Sequence, residues 1–101
     1  MDKSTFKNIG IIGGTDSSRG SGLCADEETI YELGDNPLAV ISAITQQCNS
    51  SKIRIHAVPA CGLESQLDGL LQEEPDAIKI GMLPDESSVR MVGKFLNKSS
   101  C

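Results

Sequence analysis

The sequence predicts an α/β fold, with helices flanking a mostly parallel sheet. Short apolar runs alternate with helix-periodic segments, and turns rich in glycine, proline or asparagine separate them. Strands that alternate with helices along a chain are typical of this class. With 101 residues, 39% of them hydrophobic, residues 1–101 are expected to form a single small domain. The predicted element order is β-α-β-β-α-β-α.

The first half of the chain predicts two strands with a helix between them. Lys7–Gly14 is a short buried strand that ends in glycines, and Thr15–Gly22 has the composition of a loop. Leu23–Leu33 fits a helix, which Gly34 would cap. Leu38–Ile44 is the second strand. In the helix, the apolar stripe is thin (Leu23, Ile30, Leu33) and three acids favour the N-terminal turn (Asp26, Glu27, Glu28).

The second half predicts a strand, a helix, a strand and a helix. Ile53, Ile55 and Ala57 alternate with polar residues, which indicates a strand with one wet face. Four leucines then recur at helical spacing, and Asp76–Met82 follows as a strand. Pro84 suits the start of the last helix, whose inner face would carry Val89, Val92 and Leu96. We expect a core of sheet isoleucines and valine with helix leucines packed on it: Ile9, Ile11, Val40, Ile44, Ile78 and Ile80, with Leu67, Leu70 and Leu71.

Charge and cysteine content exclude several classes of function. Acids outnumber bases 14 to 9, for a net charge of −5, and only three residues are aromatic. This disfavours nucleic acid as a partner, because nucleic-acid binding needs a basic face or a stacking platform. The longest apolar runs are far below the ~20 residues that span a bilayer, so no membrane is expected, and the N-terminus lacks a signal-peptide pattern. We therefore expect a cytoplasmic protein with free thiols and no metal site, since its four cysteines form no C-x-x-C pair.

Ligands of parallel α/β sheets bind at the carboxyl ends of the strands. Four segments lie there: Gly13–Asp26, Thr45–Cys48, Val58–Pro59 and Gly81–Leu83. The first fits the dinucleotide pattern only formally, because its glycines come six residues after the strand, and it lacks the Gly-Lys-Ser/Thr of a phosphate loop. It is either a long turn or a ligand platform on which glycines let a ligand approach the backbone.

Individual side chains near these strand ends have two interpretations each. Asp26 is either a helix-start acid or an acceptor for a substrate hydroxyl or amine. Gln47 carries an amide that suits an amino-substituted ring, and Gln46 competes with it on the opposite strand face. His56, on the wet face of its strand, is interpreted as a surface residue rather than a base. Lys79 either faces an edge or sends its ammonium into the strand-end cavity, where a thioether at Met82 could pack on a flat ring.

Five runs of the sequence occur in the order in which one family has them: IGIIGGTDSSRGSGLCAD (Ile9–Asp26), AVISAITQQ (Ala39–Gln47), HAVP (His56–Pro59), QLD (Gln66–Asp68) and DAIKIGML (Asp76–Leu83). On these runs the chain resembles the N-terminal part of hydroxymethylpyrimidine/phosphomethylpyrimidine kinase of thiamine biosynthesis, in the ribokinase-like superfamily. The resemblance implies a kinase that transfers a phosphoryl group from ATP, with Mg²⁺, to a small-molecule pyrimidine. It also implies substrate-binding roles: Gln47 grips the pyrimidine, Gly14 lies beside it, Ser21 (where alanine is usual) contacts it from the loop, Asp26 supplies the acid and Met82 packs on the ring.

The resemblance also predicts what residues 1–101 do not carry. The family's anion hole, general base and most of its ATP site belong to a C-terminal nucleotide portion, so we expect no catalytic residue here and incomplete catalysis by this chain alone. Gln46-Gln47-Cys48 replaces the family's Ala-Gln-Asn, and Arg19 replaces a loop glycine. Two alternatives stay open, a non-catalytic pyrimidine-binding module and a pyridoxal-kinase-like protein. Apolar surface left uncovered predicts self-association.

Overall fold

The computed structural model describes residues 6–16, 22–46 and 53–99, together with the backbone of Gln47. Within these residues the elements follow the predicted order β-α-β-β-α-β-α. The strands are β1 (Asn8–Asp16), β2 (Asn36–Gln47), β3 (Ile53–Ala57) and β4 (Ala77–Ile80). The helices are α1 (Gly22–Glu32), α2 (Ala60–Gln72) and α3 (Glu86–Lys98).

The four strands form one mostly parallel sheet in the order β3-β2-β1-β4. β1 pairs in parallel with β2 on one side and with β4 on the other, and β3 is antiparallel to β2. The parallel sheet confirms the predicted fold class, and the carboxyl ends of β1, β2 and β4 meet at one end of it.

The two faces of the sheet carry different helices. Ile12 and Val40 lie in one apolar cluster with side chains of α2 and α3. Ile11 is equally buried but faces the other way, because side chains alternate along a strand. On that face lies α1, whose Leu23 approaches within 3.5 Å of the position that a Cβ on Gly13 would take. The larger cluster contains Ile12, Val40, Leu63, Leu67, Leu70, Val92 and Phe95.

The predicted core is right at the centre of the sheet and wrong at its carboxyl end. Ile11 and Val40 are buried, whereas Ile44 is 54% exposed and Ile80 is 40% exposed. The register shift at Ser42 reverses the alternation of β2, so Ile44 pairs with Thr15 and lies on the face of Ile11, away from the cluster that contains Val40. The same correction applies elsewhere, since Ile9, Ile78 and Leu71 are only half-buried.

The strand β3 does not have the single wet face that its alternation predicts. All five of its residues are exposed, Ile53 by 60% and Ile55 by 50%. The reason is its place at the edge of the sheet, beside β2, where neither face is covered by a helix of the described chain. His56 is exposed as expected.

The helix α1 starts one residue earlier than predicted, which moves its acids out of the first turn. Asp26 therefore lies in the second turn, and Leu33 falls outside the helix and is 74% exposed. Leu23 is the one buried side chain of α1. Gly34 follows the helix with φ +86°, as its predicted capping role requires.

The helix α3 buries a different face from the one that its valines predict. Asp85 caps it by accepting a hydrogen bond from the Ser88 backbone N–H at 2.8 Å. Val92 is buried as expected, but Phe95 joins it, whereas Val89 and Leu96 are 53% and 39% exposed. The buried stripe of α3 is therefore offset from the predicted one, and it begins at Ser88, the residue whose N–H donates to the capping Asp85.

The strands β1 and β2 both extend beyond their predicted bounds. Thr15 and Asp16 extend β1 beyond the glycines, and β2 begins with Asn36 and Pro37. The hydroxyl of Thr45 donates to the carbonyl of Thr15 at 2.5 Å, which ties the ends of β1 and β2 together. A proline is tolerated there because it occupies the start of the strand.

Candidate functional site

A cleft of about 290 Å³ opens at the carboxyl ends of β1, β2 and β4, on the face that carries α1. Its volume is close to the lower end of the ~300–1,000 Å³ common for small-molecule sites, which suits a single-ring ligand. Glycines form much of its floor, and charged, hydroxyl and thioether side chains form its walls. The lining residues are Gly13, Gly14, Asp16, Gly22, Leu23, Asp26, Thr45, Lys79, Gly81 and Met82.

The floor of the cleft is shaped by an irregularity between β1 and β2. Gly13 pairs with Ile41 and Gly14 with Ala43, so Ser42 is an extra residue on β2. Gln66 of α2 accepts from the Ile41 N–H and donates to the Ile41 carbonyl, both at 2.8 Å. These bonds satisfy the backbone groups of Ile41 beside the interruption. Gln66 thus acts as a structural support, a role the sequence did not indicate.

The start of α1 presses directly on the end of β1. Gly22 has φ +70°, and a Cβ there would lie 2.5 Å from the carbonyl oxygen of Gly14. Only glycine fits both the left-handed backbone and this separation. The glycine-rich segment therefore serves close approach between two backbones of this chain, and this brings α1 to the mouth of the cleft.

The segment after β4 forms the wall of the cleft opposite α1, and two hydrogen bonds hold it to the sheet. The backbone N–H of Gly81 donates to the Ile12 carbonyl at 2.6 Å, and the buried hydroxyl of Ser42 donates to the Met82 carbonyl at 2.6 Å. The Ser42 bond spans β1, which lies between β2 and β4. A Cβ on Gly14 would lie 3.4 Å from Sδ of Met82, so the missing side chain leaves the thioether facing open floor.

Asp26 and Lys79 join the two walls by an ion pair. The ammonium Nζ of Lys79 lies 2.6 Å from Oδ1 of Asp26, and the Asp26 side chain is the less exposed partner. Lys79 is the register partner of Ile11, so it projects toward α1. Of the two interpretations of Lys79, the one that sends its ammonium to the strand-end cavity is correct. Asp26 lines the same cavity from the second turn of α1 and does not serve as a helix-start acid.

The structure brings together three of the five predicted site residues: Gly14, Asp26 and Met82 all line the cleft. Ser21 lies outside the described residues. Gln47 is the last residue of β2, where its backbone pairs with Ile53, and its side chain lies outside the described part of the chain. Its competitor Gln46 pairs with Arg54 and is exposed.

Two polar residues of the cleft were not singled out from the sequence. Asp16 and Thr45 are buried, with exposures of 8% and 5%, and they are register partners on adjacent strands. In the sequence they belong to the strand-end segments Gly13–Asp26 and Thr45–Cys48, where nothing distinguishes them from their neighbours. Their burial could have been anticipated only from the extension of β1 past its glycines.

A second groove, of about 540 Å³, separates α2 from α3 on the other face of the sheet. Its apolar floor is bordered by acids of α2 and by Glu86 and three bases of α3. It contains none of the predicted site residues, so we place the candidate site at the strand ends.

Among the described residues, no helix has the length and apolar character needed to cross a bilayer.

The sheet, its flanking helices and the strand-end cleft have the arrangement found in part of the ribokinase-like kinases of small molecules. The chain is similar to the structure of pyridoxal kinase from Staphylococcus aureus in complex with AMP-PCP and pyridoxal, with a TM-score of 0.89 and 31% identity, over 96% of this chain and 36% of that one. It is also similar to the structure of phosphomethylpyrimidine kinase from Clostridium difficile 630, with a TM-score of 0.81 and 28% identity, over 93% of this chain and 41% of that one.

A family described as phosphomethylpyrimidine kinase matches residues 16–101, and the chain belongs to this family. A rice relative, a probable thiamine biosynthetic bifunctional enzyme of the chloroplast, is 34% identical over 94 residues, which are 92% of this chain and 17% of the relative. The chain thus spans less than half of each of these three proteins.

Proposed function

We propose that this chain forms the acceptor-binding part of a kinase that phosphorylates hydroxymethylpyrimidine and then its monophosphate. The observation that carries the proposal is the convergence of Gly14, Asp26 and Met82 on one cleft at the strand ends. These residues come from β1, α1 and the segment after β4, and the fold alone brings them together. The family to which the chain belongs supports the chemistry.

The walls of the cleft suit a flat ring that bears an amino group. The thioether of Met82 lies over a glycine floor and offers a soft apolar surface to one face of a ring. The carboxylate of Asp26 can accept a hydrogen bond from an amino or hydroxyl group. The resemblance to the family implies that Gln47, the last residue of β2, supplies the amide that grips the pyrimidine, and we include this role in the proposal.

The proposal includes ATP as phosphoryl donor, which the AMP-PCP complex of the Staphylococcus aureus relative supports. It also includes Mg²⁺ and a cytoplasmic location. In the described part of the chain, no group of three His, Cys, Asp or Glu side chains is placed to hold a metal ion. The family resemblance assigns most of the ATP site to a C-terminal portion, so within this proposal the task of the residues around the cleft is to hold the acceptor.

A second candidate acceptor is pyridoxal. The specific observation in its favour is the higher TM-score to the pyridoxal kinase, 0.89 against 0.81 for the pyrimidine kinase. Both ligands are flat six-membered rings with a hydroxymethyl group, so the same cleft suits either. Direct comparison of the two ligands separates the candidates.

Calorimetry of the purified chain with hydroxymethylpyrimidine and with pyridoxal tests the proposal. We expect the pyrimidine to bind more tightly, and Gln47→Ala to weaken it by about 1–3 kcal/mol, the cost of removing an amide hydrogen bond from a closed site. Gln46→Ala is the matched control, because it removes the same group from the neighbouring position. Absence of binding would refute the proposal, tighter binding of pyridoxal would favour the second candidate, and a larger effect of Gln46→Ala would place the other amide in the site.

A further inference from the structure

The ion pair between Asp26 and Lys79 connects α1 with β4, two elements that pack on different neighbours. α1 packs on β1 and β2, whereas Lys79 belongs to β4, on the far side of β1. The Nζ–Oδ1 distance of 2.6 Å makes this a direct, charge-assisted hydrogen bond. It therefore links α1 to the strand that leads into the Met82 wall of the cleft.

The helix that carries Asp26 buries few apolar side chains. Leu23 is its one buried side chain, and Asp26 follows one turn later on the same side of the helix. With so little apolar burial, the position of the Asp26 carboxylate depends on Leu23 below it and on Lys79 beside it. The side chain of Asp26 is 24% exposed and that of Lys79 is 59% exposed, so the lysine reaches from solvent to an acid on the cleft wall.

From this geometry we infer that Lys79 is a positioning residue for the acceptor ring, acting through Asp26. Its ammonium holds Oδ1 and thereby fixes the plane of the carboxylate, which leaves Oδ2 to accept a hydrogen bond from the ligand. This inference rests on the proposed function, because it deepens the role of Asp26 in the same cleft. It gives the charged residue within the apolar strand Ala77–Ile80 a reason to be there.

A positioning role for Lys79 and a direct contact between Lys79 and the ligand predict different results. If Lys79 acts through Asp26, removal of its ammonium matters only while the carboxylate is present. If Lys79 contacts the ligand directly, that removal matters equally with and without the carboxylate. A double-mutant cycle distinguishes the two cases.

The test measures affinity for hydroxymethylpyrimidine by calorimetry in the 101-residue chain. The variants are Lys79→Met, Lys79→Arg, Asp26→Asn and the double variant Lys79→Met/Asp26→Asn, with Lys94→Met, at an exposed position of α3, as the matched control. We expect Lys79→Met to weaken binding about fivefold to tenfold, and to weaken it less than about twofold further in the Asp26→Asn chain. Lys79→Arg should restore affinity to within about twofold, because it returns a cation that can donate to Oδ1. Lys94→Met should leave affinity unchanged.

Each other outcome is decisive. If the original chain binds neither pyrimidine nor pyridoxal, the proposed function fails and this inference falls with it. If the chain binds and Asp26→Asn weakens it while Lys79→Met does not, the inference alone is overturned. Equal weakening by Lys79→Met with and without the Asp26 carboxylate would make Lys79 a direct ligand contact and also overturn it. Lys79→Gln, which keeps a donor, is measured alongside in case Lys79→Met does not fold, and it should fall between Lys79→Met and the original chain.

Discussion

At the scale of single residues, the entrance to the cleft depends on a glycine that no other residue can replace. We predict that Gly22→Ala lowers the free energy of unfolding by about 2–4 kcal/mol, since it combines left-handed backbone strain of roughly 1–2 kcal/mol with a steric clash. The added Cβ would lie 2.5 Å from the carbonyl oxygen of Gly14. Urea unfolding measures the decrease.

Gly34→Ala is the matched control for this prediction. Gly34 has φ +86°, but nothing lies within 4 Å of the Cβ that alanine would add, so this variant carries the strain without the clash. We expect it to be destabilised by only about 1 kcal/mol. Equal destabilisation at the two positions would show that close approach between Gly22 and Gly14 contributes nothing.

At the scale of elements, the register of β1 and β2 depends on a side chain from α2. We predict that Gln66→Met destabilises the fold by about 2–4 kcal/mol, because it leaves the N–H and the carbonyl of Ile41 without their partner, at roughly 1–3 kcal/mol each. Hydrogen exchange of the Ile41 amide should accelerate more than that of amides in the middle of β1.

Gln72→Met, at the exposed end of α2, makes the same chemical change where no such bond is made to β2. It should leave both stability and exchange nearly unaltered. Unchanged exchange at Ile41 in the Gln66→Met chain would mean that the interrupted ladder is stable without the amide.

The order of the elements was accessible from the sequence because each periodicity is local. The leucines at positions 63, 67 and 70 mark one side of α2 whatever packs on it, and all three are buried. Burial at the carboxyl end of the sheet was not accessible, because the run that contains Ile44 looks alike whether or not a helix covers it. The same holds for Phe95, whose burial depends on how α3 is rotated on the sheet.

The candidate site, like the core, was predictable from the sequence only in part. Gly14 and Met82 could be placed at the cleft because both lie near the carboxyl ends of strands, and parallel strands bring these ends together. The support from Gln66 depends on an irregularity between Gly13 and Gly14, and that irregularity exists only when two distant strands are paired. A residue that bonds to backbone across 25 positions leaves no local pattern in the sequence.

At the scale of the whole molecule, apolar side chains remain exposed on the edge strand β3. We predict that the chain self-associates, because Ile53 and Ile55 are at least half exposed on a strand whose outer side pairs with no described residue. Sedimentation should give a weight-average mass above that of the monomer. The double variant Ile53→Lys/Ile55→Lys should lower the weight-average mass toward the 10.7 kDa of the monomer.

Val89→Lys is the matched control for the edge strand. It removes an apolar side chain of similar exposure, 53%, but from the surface of α3. We expect it to leave the mass unchanged. A monomer at all concentrations, or an equal effect of Val89→Lys, would argue against association through β3.

Whether this chain catalyses phosphoryl transfer alone also depends on the molecule as a whole. Phosphoryl transfer depends on positioning the γ-phosphate and on charge placed around it. Among the described residues that line the cleft, the one cationic side chain, Lys79, is already paired with Asp26. A chain that orients one reactant gains little of the ~7–11 kcal/mol that joint orientation contributes. We therefore predict that the 101 residues bind the pyrimidine but release ADP from Mg-ATP only at background level.

A chimera provides the positive arm of this measurement. The matching segment of the Clostridium difficile kinase, 41% of that chain, is replaced by this chain, so that the acceptor cleft is joined to the rest of a kinase. We expect pyrimidine-dependent ADP release from the chimera, and a raised KM for the pyrimidine when it carries Asp26→Ala. Saturable turnover by the 101-residue chain itself would contradict the prediction, because residues assigned here to holding the acceptor would then also position the γ-phosphate.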